Sequence, residues 1–115
     1  MVTPTASAST PLGAGERVWA AFSHRGLPYR AWWAQLSPLL SEAARAEYVY
    51  DDPANIPAMR LTSRIRLAPR SPGEARYTAA VLVPTSLGLF RLDLERHTTK
   101  SGWLLFAIKF PPAVR

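Results

Sequence analysis

The chain of 115 residues has no cysteine. That excludes disulfides, thiolate nucleophiles, zinc ribbons and iron–sulfur ligation together, and says little about compartment, because secreted chains can lack cysteine too. Histidine is scarce: His24 and His97 stand alone, with no HxH or HxxxH spacing and no companion carboxylates, so no metal site is expected. No motif calls for a cofactor. No apolar run is long enough to cross a bilayer, and residues 1 to 11 have neither the basic start nor the apolar stretch of a secretory signal. As written, the chain is expected to be cytoplasmic, or extracytoplasmic and membrane-tethered if an anchor lies upstream.

What is present is an ordinary globular composition with a strong basic bias. A hydrophobic share of 48% and this length fit one domain with one core. Of 14 basic residues only Lys100 and Lys109 are lysines, and the net charge is +6. Arginine suits bidentate contacts to phosphate or carboxylate, although a GC-rich genome raises Arg, Ala and Pro together without any partner. The charge is unevenly spread: residues 12 to 59 hold four Arg against five acids, residues 60 to 100 eight cations against three acids.

Residues 1 to 14 are mostly Thr, Ser, Ala, Pro and Gly, a composition expected of a disordered leader, with the α+β domain spanning residues 15–115. From Glu16 to Ser23, Val18, Trp19 and Phe22 recur at helical spacing until Gly26 and Pro28 stop the run. A second helix over Tyr29 to Leu36 puts Trp32, Trp33 and Leu36 on one side. Ser41 can cap a third through SEAARAEYVY, with Ala44, Tyr48 and Val49 inward, ended by Asp51-Asp52-Pro53.

The periodicity then turns to alternation. A strand over Arg60 to Ala68 shares Leu61, Ile65 and Leu67 on one face with Arg64 and Arg66 on the other, and Ser71-Pro72-Gly73 turns the chain. In Ala75 to Val83 the face is Tyr77, Ala79, Val81 and Val83. Phe90, Leu92 and Leu94 alternate with Arg91, Asp93 and Glu95. In Trp103 to Phe110, Leu104, Phe106, Ile108 and Phe110 alternate inward. Four strands with short connections make an antiparallel meander, and its apolar face needs the three helices as cover.

The pair Trp32-Trp33, the stretch Leu36-Ser37-Pro38-Leu39-Leu40-Ser41-Glu42-Ala43 and the run from Tyr48 through Asp51-Asp52-Pro53 to Ala58 resemble the nuclear transport factor 2-like superfamily over residues 16 to 110. More narrowly they resemble small actinobacterial members, often membrane-tethered and some on conjugative or integrative elements. The resemblance implies a cone of curved sheet around three helices, with a pocket at the open end. It also implies one of several roles, among them polyketide cyclase, ketosteroid isomerase, dehydratase, or a non-catalytic assembly domain in transport or secretion machinery.

Candidate chemistry is thin. Asp51, Asp52, Asp93 and Glu95 are the acids that could serve as a base, but the first two end a helix and the others alternate outward, so no catalytic residue is assigned. Trp19, Trp32, Trp33, Tyr48 and Tyr50 could line a ligand pocket or fill the core. Arg64, Arg66, Arg76 and Arg91, with Lys109, could form a face for an anionic partner, or a solvated face that keeps sheets apart. Three functions follow: a non-catalytic assembly or interaction domain, self-associating or binding a protein partner; a small-molecule binder or cyclase-like enzyme; and non-specific binding of nucleic acid or anionic lipid.

Overall fold

The computed structural model describes residues 10–70 and 72–112. Along the chain come α1 (Pro11–Phe22), α2 (Tyr29–Leu36), a 3-10 turn at Ser37–Leu39, α3 (Glu42–Tyr48), a second 3-10 turn at Pro53–Asn55, β1 (Arg66–Leu67), a single turn α4 (Pro72–Ala75), β2 (Thr78–Thr85), β3 (Gly88–Glu95) and β4 (Leu104–Lys109). The protein is α+β: three N-terminal helices and a four-stranded antiparallel sheet in the order β1-β2-β3-β4.

The helix α1 starts well before Glu16. Thr10 caps it by accepting from the Gly13 amide at 3.1 Å, and Pro11 opens the first turn. Residues 10–14 of the expected leader are therefore ordered, while residues 1–9 lie outside the described residues. Gly13 and Ala14, which read as leader, are buried within α1. A Cβ on Gly15 would stand 2.7 Å from a Val81 methyl, so the absence of a side chain lets α1 lie close on β2. Further along, the Trp19 ring lies 5.0 Å from that of Phe90, and Phe22 stands edge-on to Phe110.

Trp32 on α2 is fully buried and its indole N–H donates to the Phe22 carbonyl at 3.0 Å, so the orphan end of α1 is satisfied by α2. Ser41 caps α3 as its sequence suggests, accepting from the Ala44 amide. The same residue turns the chain onto the sheet: its amide donates to the Leu105 carbonyl at 2.8 Å, next to a parallel bridge between Leu40 and Leu105. From the end of α3 the Tyr48 hydroxyl accepts from the Ile108 amide. The outer edge of β4 is thus covered by Leu40, Ser41 and Tyr48.

The first strand is far shorter than residues 60 to 68. Leu61 bridges Thr85, whereas Arg66 and Leu67 pair with Leu82 and Val81. The partner numbers shift by two between these contacts, so the chain at Thr62 to Ile65 bows out of the ladder. The Ser71-Pro72-Gly73 turn is in part the helical turn α4, with Ser71 outside the described residues, and β2 begins at Thr78. Tyr77 therefore precedes the strand and is exposed, not inward.

Ala79, Val81 and Val83 of β2 and Phe90, Leu92 and Leu94 of β3 point into the core as their alternation requires. In β4 the expected face holds at Ile108 and fails at Leu104 and Phe106. Asp93 pairs with Ala107 but Leu94 pairs with Leu105, which leaves Phe106 as the extra residue of a bulge. The bulge resets the parity, so Trp103 and Leu105 are buried on one side of it and Ile108 on the other, while Leu104 and Phe106 are only half-buried.

Candidate functional site

The space between helices and sheet, where a cone would hold its pocket, is packed with side chains. Trp19, Phe22, Trp32, Leu36, Phe90 and Leu92 are all buried in one cluster. Of the five aromatic residues that could line a pocket or fill the core, Trp19, Trp32 and Tyr48 belong to this cluster and Trp33 packs half-buried beside it, stacked on Tyr29. Tyr50 does not join them, being 91% exposed past the end of α3. Burial raises the Tyr48 phenol above its usual pKa, with the charges of Glu47, Asp51 and Asp93 adding to it against the amide bond from Ile108.

The candidate acids are placed elsewhere. Asp52 caps the Pro53–Asn55 turn by accepting from the Ala54 amide at 2.9 Å. The Asp51 carboxyl is held above the usual range by partial burial and then by the Glu47 charge. Asp93 is on the face of the sheet away from the core, buried, and paired with Arg91 at 2.8 Å. His24 and His97 are exposed. Among the described residues there is no group of three or more side chains able to hold a metal ion, and no helix long and apolar enough to cross a membrane.

The basic residues of the sheet separate into two places. Pairing runs Arg66 to Leu82, Leu82 to Arg91 and Arg91 to Lys109, so three cations and one leucine form a row across all four strands on the outer face. Arg64 sits in the bowed segment before β1 and is exposed. Arg76 is not in the row: it lies in the turn before β2, and its carbonyl accepts from Arg96 Nε at 2.8 Å. Arg96 also covers the Trp103 ring at 4.6 Å, a contact that ties the β3–β4 turn to the sheet.

A recess opens on the other flank of β1. It lies between α1 and residues 57–65, has a volume of about 430 Å³, and is floored by Trp19, Met59, Leu61 and Ile65 with Glu16 and Arg60 at its rim. Its wall is fixed by Arg25, whose Nε donates to the Ile56 carbonyl at 2.6 Å across the gap between α1 and the loop. A shallower recess of about 440 Å³ lies across α1, between Arg17, His24, Gln35 and Leu39.

The chain matches no family model, no curated protein and no solved structure.

The geometry therefore has to speak for itself, and what it offers is surface. The recess beside β1 joins an apolar floor, a charged rim of Glu16 and Arg60, and an open strand edge in one place. Sequence reasoning named Trp19, Leu61 and Ile65 but set the last two inside a regular strand. It missed Met59 and Arg60 as site residues, because the loop from Ile56 to Leu61 follows neither helical nor strand period.

Proposed function

We propose that this domain is a non-catalytic interaction module of the nuclear transport factor 2-like type, which engages a protein partner in an assembly such as a membrane-associated transfer or secretion apparatus. The observation that carries the reading is the contrast between a filled interior and an open flank. Trp19, Phe22, Trp32, Leu36 and Phe90 occupy the space a substrate of a cyclase or isomerase would need, whereas Leu61 in the recess and Leu67 on β1 remain 47% and 44% exposed. Exposed apolar surface of this kind, rimmed by charge, is characteristic of contact sites. The phenol best placed for chemistry, Tyr48, already accepts the Ile108 amide.

The test is a titration with flat apolar ligands, a naphthol and a steroid, followed by the methyl resonances of Leu36, Val83 and Leu92. Those methyls are expected to stay unmoved. Saturable shifts among them would place a ligand inside the core and transfer the reading to the cyclase or isomerase branch.

The row of Arg66, Arg91 and Lys109 supports a second reading, contact with an anionic surface through the outer sheet face. Binding of that kind weakens steeply with salt, roughly in proportion to the number of cations engaged.

A further inference from the structure

The two edges of the sheet are unlike. Along β4 the outward groups meet Leu40, Ser41 and Tyr48. Along β1 the opposite holds. The Ala68 amide donates inward to the Ala80 carbonyl at 2.9 Å and Arg66 pairs with Leu82. Antiparallel strands alternate inward and outward bonding, so the backbone N–H and C=O groups of Leu67 face outward. β1 is the end strand of the sheet, and no strand lies beyond it among the described residues.

The side chains on that edge are sorted by face. Leu67 pairs with core-facing Val81, so Leu67 and Ile65 lie on the helix side, next to the recess floored by Trp19 and Met59. Arg66 lies on the outer side, Arg64 is exposed two residues before it, and Arg60 stands at the rim. Among the described residues these three arginines have no ion-pair partner. An added strand would meet apolar surface with every second side chain and positive charge with the ones between.

Resting on the interaction-module reading, we infer that the β1 edge takes up an extended acidic segment of a partner protein as an added strand, its alternate apolar side chains entering the recess beside Trp19 and its acidic ones facing Arg60, Arg64 and Arg66. Main-chain bonds to an open edge supply affinity and the alternating side chains supply selectivity. Charge decides the occupant. Two copies of this chain paired edge to edge would set Arg64 and Arg66 of one against those of the other, and like charges directly across a ladder are repelled. Edge cations that ward off such pairing are a common protection against aggregation; here the same cations admit an acidic strand. A nucleic-acid strand would use the arginines but neither the outward amides nor the apolar recess, and Trp19 is too buried to stack on a base.

The probe is an acetylated and amidated peptide of about eight residues, somewhat longer than a typical strand, alternating Leu or Val with Glu. It is titrated into the isotope-labelled full chain beside a peptide of equal composition with its acids and apolar residues in separate blocks. Saturable binding of the alternating peptide is expected, with amide shifts at Ile65 and Leu67 and an indole shift at Trp19. Combined Arg60→Glu, Arg64→Glu and Arg66→Glu substitution should weaken it by roughly tenfold or more. Leu67→Pro, which removes an outward N–H from an edge strand, should abolish it; if that variant does not fold, the charge reversal still decides.

No binding, equal binding of the block peptide, shifts confined to the outer row or to α1 and α2, or an oligonucleotide displacing the peptide from the same residues would each overturn the inference. Such a failure leaves the interaction module standing if the core methyls stay silent toward small ligands; shifted core methyls would remove that reading as well.

Discussion

The Tyr48 hydroxyl accepts a hydrogen bond from the Ile108 amide at 3.0 Å, joining residues 60 apart in sequence. The bond closes an outward group of β4 with a side chain from α3, where water or another strand would otherwise serve. Tyr48→Phe keeps the ring packing and leaves the Ile108 N–H buried without a partner, so it should cost about 1–3 kcal/mol. Urea unfolding gives the loss, and faster hydrogen exchange at Ile108 gives its place. Because the folded phenol is held above its ordinary value of 10.0, the unfolded chain ionises first. Stability that Tyr48 contributes below pH 10 is therefore lost as pH rises beyond it, and the variant should lack that part of the alkaline decline.

Gly15→Ala tests the close approach of α1 to β2. On an exposed helix the change would stabilise by removing glycine's flexibility. Here the new methyl would stand 2.7 to 2.9 Å from three Val81 carbons. We expect a destabilisation of about 1–3 kcal/mol, the usual cost of overpacking a filled core, measured by denaturant titration. A pairing with Val81→Ala should recover part of it.

Trp32→Phe removes indole bulk from a fully buried site and the donor to the Phe22 carbonyl. The two losses together should amount to about 2–4 kcal/mol. Trp33→Phe, at a half-buried position, should cost well under half as much, so the neighbouring tryptophans separate in thermal unfolding even though the sequence treats them alike.

Asp51 titrates in the opposite sense to a stabilising carboxylate. Its folded pKa is raised above 3.8 by partial burial and by Glu47, so the folded chain binds more protons just above that value and stability falls as pH rises through the window. The penalty is complete above the folded pKa. Asp51→Asn should raise the melting temperature modestly at neutral pH and leave it little changed near pH 3, seen by calorimetry at both pH values.

Much of the α+β plan was legible because hydrophobic period is a local signal. Trp19, Phe22, Trp32 and Leu36 sit where helical spacing put them, and Val81, Val83, Phe90, Leu92 and Leu94 where alternation did. The failures mark places where a residue's neighbour is distant in sequence. Gly13 reads as leader although α1 already includes it, and nothing local announces that Val81 lies beneath Gly15. The bulge at Phe106 shifts a strand's parity without any glycine or proline to signal it. Tyr77 looked like a strand residue because β-propensity does not say where pairing begins. The site suffered most. Pocket residues were sought among the aromatics, which the core absorbed, while the open recess is built largely from a loop with no period at all.

The hairpin of β2 and β3 carries a consequence for how the chain reaches this structure. Thr85 and Gly88 pair directly across Ser86 and Leu87, with the Thr85 hydroxyl bonded to the Gly88 carbonyl at 2.7 Å and to the Leu87 amide. Its contacts close a short loop and so cost little chain entropy, whereas joining Leu40 and Tyr48 to β4 closes a loop of some sixty residues. The hairpin should accordingly form ahead of the β4 closure. Until that closure, β4 exposes the very groups Tyr48 and Ser41 later cover, and the chain is at its most adhesive. Rapid docking of α3 is then a safeguard against misassembly as much as a source of final stability.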